Sequence, residues 1–262
     1  MCTLILLHRC VDGAPLVVAA NRDEYLDRPA APPALLETDG PSVVAPLDLR
    51  AGGTWLGVNA AGLFAALTNR PVRRPDPSRR SRGLLVLDAL AERGAAAAAA
   101  RMRPLAPGLY NPFNLVVADR DEAFAIVYGD DVRIEPLRPG AHVVGNADPL
   151  ASDVPEKVAR LRRRAQAAAG APPAAVLGAL AEICRGHDGG HAPLESTCIH
   201  TPSYGTRSST LLRLGDDPET DTLRFADGPP CRTAYEDFSH LLGALDRAIV
   251  GRPGPRIART AT

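Results

Sequence analysis

The first apolar residues come in two unbroken runs. Leu4-Ile5-Leu6-Leu7 lies within residues 2–11, Leu16–Ala20 lies within 15–20, and Asp12-Gly13 stands between them. Asp-Gly is a strong two-residue hairpin signal. A hairpin with one wet face alternates apolar and polar side chains, whereas continuous runs predict strands covered on both faces. A turn at Asp12-Gly13 makes cross-strand partners sum to about 25, which sets Cys2 opposite Asp23 and Thr3 opposite Arg22.

Apolar patterning predicts further strands at 43–46, 54–58, 62–67, 114–118, 123–128, 131–135, 141–145, 196–201, 207–214 and 221–225. Helical spacing predicts helices at 83–103, 153–169, 173–185 and 235–249. The segment with Pro29, Pro32 and Pro33 reads as a loop, as does the Pro- and Arg-rich stretch 70–82. Strand groups joined by hairpin-like turns, with helices between the groups, predict an α+β fold of largely antiparallel sheets with helices outside. The expectation is one domain over 1–262, with a loose tail after about residue 251.

Composition narrows the function. The chain has 262 residues, 45% hydrophobic and 23% charged, which excludes wholesale disorder and a coiled coil. Its 30 basic residues, of which Lys157 alone is a lysine, balance 30 acidic ones, so a nucleic-acid partner is not expected. His8 and Arg9 end the first apolar run too early for a signal segment or a membrane span. The five cysteines (Cys2, Cys10, Cys184, Cys198, Cys231) are odd in number and contain no Cys-x-x-Cys. That argues against a disulfide framework, and a cytoplasmic protein without stable membrane insertion is expected.

Cys2 carries the most pointed chemistry. Initiator Met is usually removed before a residue as small as Cys, which would leave a free α-amine beside the thiol. That amine, with an intrinsic pKa near 8, can take the thiol proton and later deliver it to a leaving group. The hairpin brings Asn21-Arg22-Asp23-Glu24 alongside. Arg22 would favour the thiolate and Asp23 would orient the amine. The plainer readings are a buried hydrophobe at a strand start and a polar strand end.

Met-Cys-Thr at the start and Asn21-Arg22-Asp23-Glu24 resemble the NRDE family, also called the transport-and-Golgi-organisation family. Gly52-Gly53-Thr54-Trp55-Leu56-Gly57, Gly62-Leu63 through Thr68-Asn69, Tyr110-Asn111-Pro112-Phe113-Asn114-Leu115 and Tyr204-Gly205-Thr206-Arg207-Ser208-Ser209-Thr210 follow in the family's order. The resemblance covers about residues 2–225. It departs at Val144-Gly145-Asn146-Ala147, where the family reads Ser-Asn-Gly, and the 184–203 stretch is untypical.

That family is similar to N-terminal-nucleophile hydrolases of the choloylglycine and penicillin acylase type. The resemblance implies a four-layer αββα fold, with Cys2 as nucleophile and Arg22 and Asp23 beside it. It further implies that Asn69 and Asn146 orient an oxyanion or amine, and that Arg207 is a late-chain active-site arginine. Asn21, Glu24, Trp55 and Tyr204 are the expected substrate-facing residues. The implied activity is a cysteine amidohydrolase or acyltransferase acting on a small amide or thioester, without a cofactor. The family also suggests a non-catalytic alternative, haem or lipid binding and trafficking, in which Cys2 or His8 would ligate haem iron.

Three further features read as structural. Gly52, Gly53 and Gly57 mark tight turns. Cys184-x₂-His187-x₃-His191, with Cys198 and His200, has zinc-ligand types but no standard spacing, so no metal is expected. The arginines of 70–82, together with Arg160 and Arg162–Arg164, read as solvated faces, with recruitment of an anionic substrate by the loop as the sharper reading.

Overall fold

A computed structural model describes residues 2–38, 40–190 and 192–248. The apolar runs form β1 (Thr3–His8) and β2 (Leu16–Tyr25), and every residue of β1 is buried. Leu4 and Leu6 point to one side and Ile5 and Leu7 to the other, each into a separate core. Each fully buried Leu or Ile adds about 1.5–3 kcal/mol, which is why the pattern is continuous rather than alternating.

The strands β3 (Ala30–Leu36), β4 (Val43–Asp48), β5 (Leu56–Asn59), β6 (Phe64–Asn69), β7 (Phe113–Ala118), β8 (Ala123–Tyr128) and β9 (Val132–Pro136) form one antiparallel sheet in sequence order. The other sheet runs β10 (Gly140–Val144), β1, β2, β11 (Tyr204–Leu214), β12 (Thr222–Ala226) and β13 (Glu236–Asp237). One core lies between the sheets, with Leu4, Leu6, Val18, Val58, Phe64 and Val116 among its members. Helices α1 (Arg82–Leu90) and α2 (Ala95–Met102) cover the outer face of the first sheet. Helices α3 (Glu156–Ala169) and α4 (Pro173–Cys184) cover the second. The order is helix, sheet, sheet, helix: the expected αββα sandwich. Helix α5 (Ser239–Ala248) closes one side, where Leu242 and Leu245 enter the inter-sheet core.

Several local expectations need correction. Pro29 stays outside any strand, but Pro32 and Pro33 lie in edge strand β3, whose register shifts between Ala31 and Ala34. An edge position with a bulge is where a strand tolerates proline, because no ladder donor is needed there. The helix expected over 83–103 is two helices, broken before Gly94, and the carboxylate of Asp119 accepts from the Ala95 N–H to cap the second. Residues 196–201 form no strand beyond one bridge between His200 and Gly205. The final helix starts at Ser239, after β13 has used 236–237. The expected tail after 251 lies outside the described residues.

The first hairpin is also different. Its strands are joined by residues 9–15 rather than by two residues, with Arg9 and Gly13 at positive φ. Partners sum to 24, with Thr3 opposite Asn21 and Leu4 opposite Ala20. A slip of one residue exchanges the faces of a strand. Cys2 therefore lines up with Arg22, not with Asp23.

Candidate active site

The site lies at the end of the sandwich where β1 begins. Along β2, Leu16, Val18 and Ala20 face the inter-sheet core while Val17 and Ala19 face α3 and α4. Alternation carries Arg22 to the inner face and Asn21 and Asp23 to the outer one. Cys2 continues the inner-facing series Leu6, Leu4. Strand β10 pairs Val144 with Leu4, so the turn 145–147 that carries Asn146 lies at the same end of the sheet as Cys2, on the side away from β2. The half-buried thiol thus has Arg22 on one side and the end of β10 on the other. The first expectation survives as proximity: Cys2 Sγ lies 3.9 Å from the backbone oxygen of Asp23.

Burial pushes the Cys2 thiol above its ordinary pKa, and the charges of Asp23 and Glu24 push the same way. Two arginines stand nearby. Arg22, 5% exposed, stacks over Trp55 with its guanidinium carbon 4.3 Å from the ring centroid, and lies 3.8 Å from the Asp48 carboxylate. Arg82 donates to the carbonyl of Pro112. Burial lowers the pKa of both arginines, while a negative Cys2 and Glu24 would favour their charged forms. Asp48 also accepts from Arg28 (2.8 Å to Nε), which holds its carboxyl below the usual range against burial. Arg28 in turn reaches Glu24 at 3.7 Å.

Asp23 stands on the other face. Its Oδ1 accepts from the Thr206 hydroxyl at 2.6 Å and its backbone oxygen accepts from the Tyr204 hydroxyl at 2.9 Å. Burial raises its carboxyl to about 7, against the Thr206 bond and the charge of Lys157, the lone lysine. Tyr204 meets Tyr25 edge-on at 5.6 Å. Arg207 is the extra residue of a bulge in β11, between Thr206, which pairs with Asp23, and Ser208, which pairs with Arg22. A bulge re-aims a side chain out of the ladder.

Two expected site residues have other places. Asn21, expected to face substrate, is 1% exposed and donates to the carbonyls of Cys184 and Thr197, so it ties β2 to the outer layer. Asn69 contributes its backbone carbonyl, which accepts from Asn146 Nδ2. By the alternation of β6 the inner residue at that end is Thr68, whose hydroxyl donates to Gly145.

Sequence reading also missed residues. Asn114, fully buried in β7, donates to Thr68 Oγ1, to Gly145 and to Ala147, fixing the turn that carries Asn146. Its signal was present in the Tyr110–Leu115 motif but no role was read from it. Arg82 was hidden among the loop arginines. It reaches the site because Gly53 and Gly83 pack backbone to backbone: a Cβ on Gly53 would stand 2.3 Å from the Gly83 carbonyl carbon. So Gly53 marks a close approach, as does Gly57 against Leu90, and only Gly52, at φ +70, marks a turn. Of the other arginines of 70–82, Arg73 and Arg74 are exposed as expected, while three are less solvated. Arg70 pairs with Asp148, Arg79 donates to Tyr110, and Arg80 pairs with Asp88. Arg160 and Arg164 both hold Asp188, while Arg163 is exposed.

Two small cavities of about 10 Å³ each are lined by inter-sheet core residues such as Val44, Leu56 and Leu212, and by Gly145, Ala147 and Asp148 around the Asn146 turn; Cys2 lines neither. No helix among the described residues is long and apolar enough to cross a membrane.

Comparison with solved structures agrees with the layer order. Penicillin V acylase from Agrobacterium tumefaciens superposes with a TM-score of 0.57 at 14% identity, covering 91% of this chain and 86% of that one. The Caenorhabditis elegans N-acylethanolamine-hydrolyzing acid amidase ortholog gives 0.53 at 13% identity, with 83% and 95% coverage. A variant of conjugated bile acid hydrolase from Clostridium perfringens gives 0.52 at 12% identity, covering 94% of each chain. At these identities the likeness is one of fold. By sequence, the Transport and Golgi organization protein 2 homolog of Bos taurus is 31% identical over 232 residues, 77% of this chain and 83% of that protein. The mouse homolog is 35% identical over 140 residues, half of each chain. The model of the Transport and Golgi organisation 2 family matches residues 1–223, including Cys2, the Asn21–Glu24 segment and the bulged strand with Arg207; the chain belongs to that family.

Proposed function

We propose that this protein is a cysteine N-terminal-nucleophile amidohydrolase or acyltransferase acting on a small amide or thioester, with Cys2 as its nucleophile. The observation that carries this reading is the position of the Cys2 thiol. It lies at the first residue before β1, half-buried, between Arg22 and the Asn146 turn. A structural cysteine needs no such surroundings.

Burial holds the thiol protonated, so it needs a base and a counter-charge. Removal of Met1 would free the Cys2 α-amine as that base. The amine takes the thiol proton, and sulfur attacks the substrate carbonyl carbon. Asn146 has one amide N–H on the Asn69 carbonyl and a second free to meet the oxyanion. The carbon–nitrogen or carbon–sulfur bond then breaks, and the leaving group departs with the proton. The acyl thioester on Cys2 passes its acyl group to water or another acceptor, restoring the thiol. Arg22 and Arg82 hold the thiolate or a substrate carboxylate, and Arg207 closes the other side. Asp23, whose backbone carbonyl meets the thiol, orients the amine and thiol. Glu24, Trp55 and Tyr204 remain the proposed substrate-facing groups. Penicillin acylase and acid amidase relatives in fold act on acyl amides, which supports an amide substrate class.

The haem reading draws less support. His8 is 1% exposed at the far end of β1, with Nε2 donating to the carbonyl of Asp119. Haemin titration tests it: a saturable Soret shift lost in Cys2→Ala would favour that reading.

The deciding experiment is intact mass after a brief iodoacetamide pulse at neutral pH, followed by a screen of acyl amides and thioesters. The proposal expects a chain lighter by one methionine, one fast adduct on Cys2, and turnover abolished in Cys2→Ala with the far-UV spectrum unchanged. Full turnover in Cys2→Ala, or in a variant that retains Met1, would overturn it.

A further inference from the structure

Beyond the proposed catalytic end, four ligand-type side chains converge. His187 follows α4, Cys198 and His200 lie in the extended segment before β11, and Cys231 follows β12. One ligand atom from each lies within 4.8 Å of all the others. Cys198 Sγ is 3.6 Å from His200 Nε2 and 3.6 Å from Cys231 Sγ, and His200 Nε2 is 3.2 Å from Cys231 Sγ. The rings of His187 and His200 are 5.2 Å apart.

These separations fit a metal. A tetrahedral zinc with Zn–S of about 2.3 Å and Zn–N of about 2.0–2.1 Å has S–S edges of about 3.8 Å and S–N edges of about 3.6 Å. The two thiols stand too far apart for a bond, since a disulfide requires about 2.05 Å, and all the cysteines are free. Two thiols and two imidazoles at van der Waals range satisfy each other poorly, because a thiol is a weak donor and a weak acceptor. We infer that His187, Cys198, His200 and Cys231 bind one zinc ion as a closed Cys₂His₂ structural site. Binding releases the two thiol protons, and two thiolates then neutralise Zn²⁺, so the partly buried site carries no net charge. Four protein ligands leave no open position, which makes the role structural rather than catalytic.

This departs from the expectation that the Cys/His stretch is metal-free: it keeps His187, Cys198 and His200 and adds Cys231. Cys184 is not a member: it is buried in the core beneath α4. His191 lies outside the described residues. Cys231 comes from a loop distant in sequence, so no spacing rule could find the set.

The fold shows what such an ion would hold. Ile199, between two of the ligands, clamps Thr206 from both sides. Its N–H donates to Thr206 Oγ1 at 2.9 Å and its carbonyl accepts from the Thr206 N–H at 2.9 Å. Thr206 is the residue that donates to Asp23. Gly205 permits the approach, since a Cβ there would stand 2.6 Å from the Ile199 oxygen. Arg160, Arg164 and the Thr197 N–H and hydroxyl meet on Asp188, next to His187, and anchor the same loop. Zinc would therefore pin the 187–200 loop and the 231 loop to the strand that shapes the Asp23 side of the candidate active site.

The test uses the full chain, expressed with zinc and dialysed against metal-free buffer under reducing conditions. Elemental analysis should find one zinc per chain, released when a mercurial titrates the thiols. His187→Ala, at an exposed ligand, and Cys231→Ser should lose zinc on dialysis while keeping the far-UV spectrum. Cys2→Ala should keep it, so failure of the catalytic reading leaves this result standing. Cobalt(II) titration of the unaltered chain covers the case in which a ligand variant fails to fold. It should give the intense visible bands of a tetrahedral site and a thiolate-to-cobalt charge-transfer band. A metal-free chain after zinc supplementation would overturn the inference. So would zinc unaffected by both ligand substitutions, a cobalt spectrum without charge transfer, or a Cys198–Cys231 disulfide in place of bound metal.

Discussion

Replacing Asp23 by Asn isolates one buried titration. Asn keeps the shape and still offers an oxygen to the Thr206 hydroxyl, which lies 2.6 Å from Oδ1 in the parent protein. It removes only the ability to ionise. In the folded chain burial raises the carboxyl from 3.8 to about 7. Between those values the native state holds a proton that the unfolded chain has released, so stability falls as pH rises. This contribution is fully present below the unfolded pKa of 3.8 and lost as pH passes through about 7. About three pH units at 1.36 kcal/mol each gives a loss of about 4 kcal/mol. The assay is urea unfolding of parent and Asp23→Asn from pH 4 to pH 8. Other carboxylates and histidines cancel in the difference. The parent should lose stability relative to the variant across this range, with no further change above it. A difference that is flat, or that rises with pH, would refute the claim that Asp23 is protonated by burial. It would mean that Lys157 and the Thr206 bond hold the carboxylate ionised.

Other perturbations follow from the same geometry. Asn114→Ala removes the buried amide shared by Thr68, Gly145 and Ala147, leaving Gly145 only the Thr68 hydroxyl; urea unfolding should show a loss of about 1–3 kcal/mol. Gly53→Ala drives a Cβ into the Gly83 backbone, and thermal unfolding should register about 1–3 kcal/mol of overpacking, with slower Cys2 alkylation as Arg82 is displaced. Arg22→Gln removes a buried cation beside the thiol, so the pH midpoint of iodoacetamide modification of Cys2 should rise. An unchanged midpoint would show that Arg82 suffices alone.

Much of the architecture is written locally. Leu4 through Leu7 contain no polar interruption, and that alone requires cover on both faces, so a layered interior was legible before any contact was known. The Arg22–Asp23 pair near Cys2 was legible because two strands joined by a short connection must lie side by side. The faces were not. They depend on parity, and parity depends on a connection over 9–15 whose two positive-φ residues add length that Asp12-Gly13 does not announce. A single residue of register moved the Asp23 carboxylate to the outer layer and set Arg22 beside the thiol. The edge strand with Pro32 and Pro33 was misread for a related reason: proline is excluded from a paired strand but not from an edge, and which strand is the edge is a property of the whole sheet.

The sequence by itself determined the kinds of element, the two-sided burial of the first strands, and the chemistry available at Cys2. Tertiary structure decided which groups that chemistry meets. Arg82 arrives on a helix start seated by two glycines, Asn146 on a turn held by Asn114, and the four metal-type ligands from two separate loops. The physical reason is range. Hydrophobic periodicity acts over one or two turns of chain and is visible in a window of residues. A site is a convergence in space, and its distances follow from register, strand order and packing that no window contains.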